Sequence, residues 1–184
     1  MNIEEFFELN NGKWFAHRTS NDLASKKSVE AKSEIVIEKL AATASEVVQL
    51  CEQQQIEPGS NFVASLIKWN DTTQINKKNI GSTVLVLVPD SENSHEGKLL
   101  SQVSTVEKST LGRYKLGSDE TLSLVVESDG IFSEERIWFA SPNLRMRVNV
   151  VKQADGFSTT SFTTEIRMGV PPVKADATAN SASS

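Results

Sequence analysis

Cysteine is almost absent. Cys51 stands alone in 184 residues, so no intrachain disulfide framework can staple the chain. Histidine is nearly as scarce, with only His17 and His95. Glu92 and Glu96 lie near His95, but that stretch supplies no second histidine or thiol, which argues against a metal site. Positive charge is also short: 19 Lys and Arg stand against 24 Asp and Glu, a net charge of −5, so the basic footprint needed for a nucleic-acid partner is missing. No apolar run approaches the ~20 residues that span a bilayer. The opening Met1-Asn-Ile-Glu-Glu-Phe-Phe7 is acidic where a signal peptide would be basic. The expectation is a cytoplasmic protein without membrane insertion.

What is present reads as one globular domain. The 38% hydrophobic and 23% charged content lies near the globular average and away from the disorder signature. Ile3, Phe6, Phe7 and Asn10 recur at helical spacing behind Asn2, a natural N-cap, which predicts a short helix from Ile3 to Leu9 that ends at Asn11-Gly12. A second helix is expected over Ser45–Gln55. There the spacing of Val47, Val48, Leu50 and Cys51 marks the cysteine as a packing residue rather than a nucleophile.

The rest reads as strand, in short runs rich in Val, Ile, Thr, Phe and Trp between turn residues. The candidates are Lys13–Ser20, Lys32–Leu40, Asn61–Asp71, Ser82–Pro89, Lys98–Lys108, Gly112–Leu116, Thr121–Ser128, Ile131–Phe139, Leu144–Lys152 and Phe157–Met168. Most joints are too short for the crossover that parallel pairing requires. Many consecutive antiparallel strands must close or pack face to face, and closure removes exposed edges. The expected fold is therefore all-β, an up-and-down antiparallel barrel of about ten strands over residues 1–169, with a sandwich as the alternative. Residues 170–184, almost without apolar side chains, are expected to form a disordered tail.

Register arithmetic is possible near the end of the barrel. If Ser141-Pro142-Asn143 and Ala154-Asp155-Gly156 are three-residue hairpin loops, Glu135 falls diagonal to Arg147 and Arg145 falls opposite Glu165. Glu135, Arg145, Arg147, Ser161 and Glu165 then share one face, and Met146, Val148, Val150, Phe162, Ile166 and Met168 share the other. Two readings compete. In the first the apolar face is core and the charged face is solvated, with weak ion pairs. In the second the charged face lines a cavity and meets a ligand with carboxylates and ring N–H groups. The pattern alone favours the first.

The run Glu134-Glu-Arg-Ile-Trp-Phe-Ala-Ser-Pro-Asn-Leu-Arg-Met-Arg147 resembles the S-type (CpcS/CpeS-type) phycobiliprotein chromophore lyases. So do Gly12-Lys-Trp-Phe-Ala-His-Arg-Thr-Ser20, Leu111-Gly-Arg-Tyr114 and Ser161-Phe-Thr-Thr-Glu-Ile-Arg-Met-Gly169, in the expected order. The resemblance implies a lipocalin-like, fatty-acid-binding-protein-like barrel that binds a phycobilin as transferred substrate, with no permanent cofactor. It implies attachment of that pigment to a cysteine of a phycobiliprotein subunit, with a lean to phycoerythrobilin and phycoerythrin. It is compatible with a protein that works alone, as a homodimer, or as a heterodimer with a related lyase subunit. It points to Glu135 as the catalytic group, with Arg145 and Arg147 contacting the bilin. Arg18, Trp69, Trp138, Asn143, Ser161 and Glu165 are implied as cavity or supporting positions. Trp14, Trp69 and Trp138 fit stacking aromatics and ordinary core equally well. The rival functions are a non-catalytic tetrapyrrole or lipid carrier, a haem-binding barrel ligated by His17 or His95, and a structural assembly factor.

Overall fold

The computed structural model describes residues 1–57, 59, 61–74, 79–91, 94–106, 108–154, 156 and 158–169. The tail expected over 170–184 lies outside them, as do Asp155 and Phe157 of the last hairpin loop. Ten strands form one closed barrel in which each pairs antiparallel with the next in sequence and the last pairs with the first. They are β1 (Gly12–Asp22), β2 (Lys27–Leu40), β3 (Val63–Asp71), β4 (Asn79–Pro89), β5 (Glu96–Val103), β6 (Thr110–Leu116), β7 (Leu122–Ser128), β8 (Ile131–Ser141), β9 (Leu144–Lys152) and β10 (Ser158–Arg167). Closure leaves no free edge, so the sandwich alternative is excluded.

All ten expected strands are present; most bounds lie within three residues of expectation, and two need a larger correction. β2 begins at Lys27 rather than Lys32, because its first residues form an exposed hairpin arm with β1, down to Asp22 opposite Lys27. β5 ends at Val103, and Ser104–Thr105 make a turn instead of continuing the strand.

Helix α1 (Ile3–Asn10) starts with a capping box: the Glu5 amide donates to the Asn2 side chain at 2.8 Å, and the Asn2 amide donates to Glu5 at 2.9 Å. Its buried Ile3, Phe6 and Phe7 join Val63, Leu87, Leu116 and Leu122, which sit at one end of their strands. The helix therefore plugs that end of the barrel. Helix α2 (Ser45–Gln53) lies on the outside, where Val47, Leu50 and Cys51 cover Ala64, Val86 and Leu100. Cys51 is fully buried in that cluster, and burial pushes its thiol up, as a packing role requires.

Turn chemistry fixes the registers. Asp129 and Gly130, at φ 53° and 76°, form the two-residue turn between β7 and β8 and place Ser128 opposite Ile131. Between β8 and β9 the turn is not the expected three-residue loop. Ser141 pairs with Leu144 around Pro142-Asn143, and an irregularity between Phe139 and Ser141 adds one residue. The extra residue restores the odd count, so the inward and outward assignments are those of a three-residue loop.

Candidate functional site

On β8, β9 and β10 the odd-numbered positions face inward, and Ser133, Glu135, Arg145, Arg147, Ser161 and Glu165 line a cavity of about 630 Å³. That volume falls within the roughly 300–1,000 Å³ of small-molecule sites. The competition between the two faces is thus resolved. Phe162 and Ile166 stand outside at 43% and 56% exposure, whereas Arg145 and Glu165 are 1% and 0% exposed. The reading of the charged face as solvated fails because the barrel closes with that face inward.

The cavity has two unlike walls. Strands β8 to β10 with β1 contribute Arg18, Glu135, Arg145, Arg147 and Glu165, while β2 to β5 and β7 contribute most of the apolar side chains, among them Ile35, Ile67, Trp69, Leu85, Leu99 and Leu124, interspersed with Ser65, Asp71, Asn79 and Thr83. Phe7 and Asn10 of α1 form the floor.

Arg145 sits opposite Glu165, and Glu135 falls diagonal to Arg147, which is opposite Ile137, as the register arithmetic predicts. The pairs are continuous. Arg145 donates through Nε to Glu165. Glu165 also lies 3.5 Å from the Arg147 guanidinium. Arg147 in turn donates to Glu135 at 3.2 Å. Nearer the mouth, Asn149 donates to the Ser133 hydroxyl at 3.3 Å.

The electrostatics follow from burial set against pairing. Burial pushes the Glu165 carboxyl up, but Arg147 and Arg145 beside it outweigh that and hold it below the usual carboxylate range. For Arg147 burial favours the neutral form, but Glu135 and Glu165 overcome it, so its affinity for the proton is raised. In Arg145 burial wins over Glu165 and lowers the guanidinium from its ordinary value. It stays cationic at any ordinary pH. Among the described residues, Arg145 Nη2, Arg147 Nε and Glu165 Oε1 are buried with no hydrogen-bond partner. Unpaired buried donors on guanidiniums beside a cavity are what an anionic ligand group would complete.

The other sequence-predicted residues divide clearly. Arg18, Trp69 and Ser161 line the cavity, Arg18 being an exposed residue. Trp138 does not: as an even-numbered residue of β8 it faces outward, beside Thr121, Arg136 and Val148. Asn143 does not either; it belongs to the β8–β9 turn, where its carbonyl accepts from the Arg167 amide at 3.0 Å. Trp14 is fully buried outside the cavity lining and donates to the Asn10 carbonyl at 2.8 Å. Sequence reasoning missed Ser133, Asn149 and Thr163, although the parity rule that found Glu135 and Arg147 would have included them. It also missed Asp71 and Asn79 on the far wall. Among the described residues no group of three or more His, Cys, Asp or Glu is placed to hold a metal ion, and His17 and His95 do not line the cavity. No helix among them is long and apolar enough to cross a membrane.

A family model described as CpeS-like protein matches residues 2–168. A chromophore lyase CpcS/CpeS of Thermosynechococcus vestitus is 43% identical over 172 residues, covering 92% of this chain and 94% of its own. A phycocyanobilin lyase subunit CpcS of Picosynechococcus is 33% identical over 180 residues, 96% of this chain and 91% of its own. The solved structure of the S-type phycobiliprotein lyase CPES from Guillardia theta aligns with a TM-score of 0.81 at 35% identity, covering 93% of this chain and 95% of that one. A barrel with this strand order, a charged inner wall and a match over nearly the whole described chain has one consistent assignment: the protein belongs to the CpeS-like family of S-type phycobiliprotein lyases.

Proposed function

We propose that this protein is a bilin lyase that binds a phycobilin in the barrel and promotes its thioether attachment to a cysteine of a phycobiliprotein subunit. The observation that supports it best is the inward ladder Arg145–Glu165–Arg147–Glu135 facing a wall that is mainly, though not wholly, apolar. A linear tetrapyrrole offers matching groups: propionates and pyrrole N–H groups for the charged ladder, and conjugated rings with methyl and vinyl substituents for the apolar side chains. Arg147, half-buried with a free Nε, and Arg18 nearer the mouth hold the propionates through charge-assisted hydrogen bonds. Glu135 accepts pyrrole N–H bonds, takes up the proton that the acceptor thiol gives up and delivers it to the tetrapyrrole. The acceptor thiol adds across the ring-A double bond. Its sulfur forms the new C–S bond, and the proton the thiol gave up is matched by one delivered to the tetrapyrrole. Nothing leaves, so the protein's contribution is positioning, protonation and shielding of a reactive pigment.

For the pigment, the sequence resemblance makes phycoerythrobilin and a phycoerythrin subunit the first choice. The relative named as a phycocyanobilin lyase subunit makes phycocyanobilin the comparison. The test is to incubate the purified protein with each bilin and with an apo subunit carrying its acceptor cysteine, then score covalent pigment after denaturation. Attachment above the uncatalysed rate is expected. Tight, saturable bilin binding without attachment would instead identify a carrier on the same barrel.

A further inference from the structure

We propose that Asn10, the last residue of α1, is a positioning residue for the pigment site: it fixes the buried Arg145–Glu165 pair and, through it, the setting of Arg147 and Glu135. An asparagine on an otherwise apolar helix stripe is costly to bury unless its polar groups are used. Asn10 is 5% exposed, and all of them are used. Its amide donates to the Phe6 carbonyl at 3.0 Å, its side-chain oxygen accepts from Arg145 Nη1, and its own carbonyl accepts from Trp14 at 2.8 Å. The Arg145 and Arg167 guanidiniums lie 4.8 and 4.2 Å from the Trp14 ring centroid, and Arg167 donates to the carbonyls of Leu9 and Asn11. The floor helix is thereby bolted to β1, β9 and β10 at the point where the charged ladder begins.

Among the described residues Arg145 has two side-chain hydrogen-bond partners, Glu165 and Asn10. Without Asn10 the guanidinium keeps one hydrogen-bonded edge and can swing about its Nε bond. Glu165, shared with Arg147 at 3.5 Å, must follow, and Arg147 is the partner of Glu135. Arg145 thus acts chiefly by holding Glu165, and Arg147, at 23% side-chain exposure against 1%, is the guanidinium more open to the ligand.

The activity arm of the test rests on the lyase reading; the second arm does not. Asn10→Ala removes both side-chain bonds, whereas Asn10→Asp keeps an acceptor for Arg145, loses the donor to Phe6 and adds a carboxylate that the Arg145 guanidinium offsets. In single-turnover attachment with the bilin that wild type transfers, Asn10→Ala should be slower by about tenfold or more, with the bilin Kd within about threefold and the bound pigment's absorption band displaced. Asn10→Asp should recover to within about threefold of wild type. Wild-type rate and band in Asn10→Ala, or an Asn10→Asp as impaired as Asn10→Ala, would overturn the proposal. In pigment-free protein, the Nε–H NMR resonances of both Arg145 and Arg147 should move in Asn10→Ala and stay near wild type in Asn10→Asp. An unmoved Arg147 would overturn it equally. Failure of wild type to attach any bilin would sink the lyase reading alone, since the NMR comparison stands without pigment.

Discussion

Glu165→Gln should be among the most damaging single changes in the protein, although it alters neither size nor shape. Glu165 is fully buried, bonded to Arg145 and 3.5 Å from Arg147. Glutamine can still accept from Arg145 Nε, but it brings no charge. Arg145, 1% exposed and unable to deprotonate, would be left with two neutral acceptors, a Trp14 face and a neighbouring cation. Removing one partner of a buried pair costs about 3–5 kcal/mol, and the retained amide acceptor places this case near 3. Urea unfolding followed by circular dichroism should show the loss as a lower midpoint with an unchanged slope.

The pH dependence supplies a second check. Because the folded carboxyl is held below its unfolded value near 4.3, its contribution is complete above that pH and disappears as pH falls through the folded value. The gap between wild type and Glu165→Gln must therefore shrink on acidification. Replacing both partners, with Arg145→Met and Glu165→Leu together, should recover part of the loss, because the Arg145 charge goes with its partner and Arg147 keeps Glu135. A Glu165→Gln penalty below about 1 kcal/mol at neutral pH, or a gap that widens in acid, would refute this account of the ladder.

Further changes test its surroundings. Arg147→Ala should weaken bilin binding by about 1.5–3 kcal/mol, roughly ten- to a hundredfold, in an absorbance titration, since a propionate loses a charge-assisted partner. A Cβ on Gly81 would lie 2.3 Å from the Trp69 indole, so Gly81→Ala must drive that ring from its place on the cavity wall. Altered tryptophan fluorescence, weaker bilin binding and about 1–3 kcal/mol of lost stability are expected. Cys51→Ser should cost about 1–3 kcal/mol for a buried hydroxyl yet leave the attachment rate at the wild-type value, because α2 lies outside the barrel. Loss of attachment in folded Cys51→Ser would point to a covalent bilin–enzyme intermediate.

Strand content was legible because period-two patterning and turn residues are local signals, and they also forecast closure, since short joints exclude parallel crossovers. The direction of the charged face was not legible. Alternation says that Arg147 and Phe162 lie on opposite sides but carries no sign, and the usual rule that apolar residues go inside gives the wrong one here. A cavity that must hold a polar ligand inverts it, leaving Phe162 and Ile166 exposed. Trp138 and Asn143 fall outside the cavity lining because resemblance transfers a motif as a block, whereas the sheet separates its members by parity and by turn. Asn10 carried a signal, a polar residue on the stripe of Ile3, Phe6 and Phe7. Its partner Arg145 lies 135 residues away, a separation that no local pattern spans.

Glu135 is where binding and chemistry come apart. The decisive measurement is single-turnover pigment attachment from preloaded Glu135→Gln, with circular dichroism confirming its fold. Glutamine keeps the shape and an acceptor oxygen but cannot deliver a proton, so the bilin should bind within about threefold of wild type while attachment slows by roughly a hundredfold or more. Wild-type attachment by folded Glu135→Gln would contradict the assignment of this ladder as the catalytic wall.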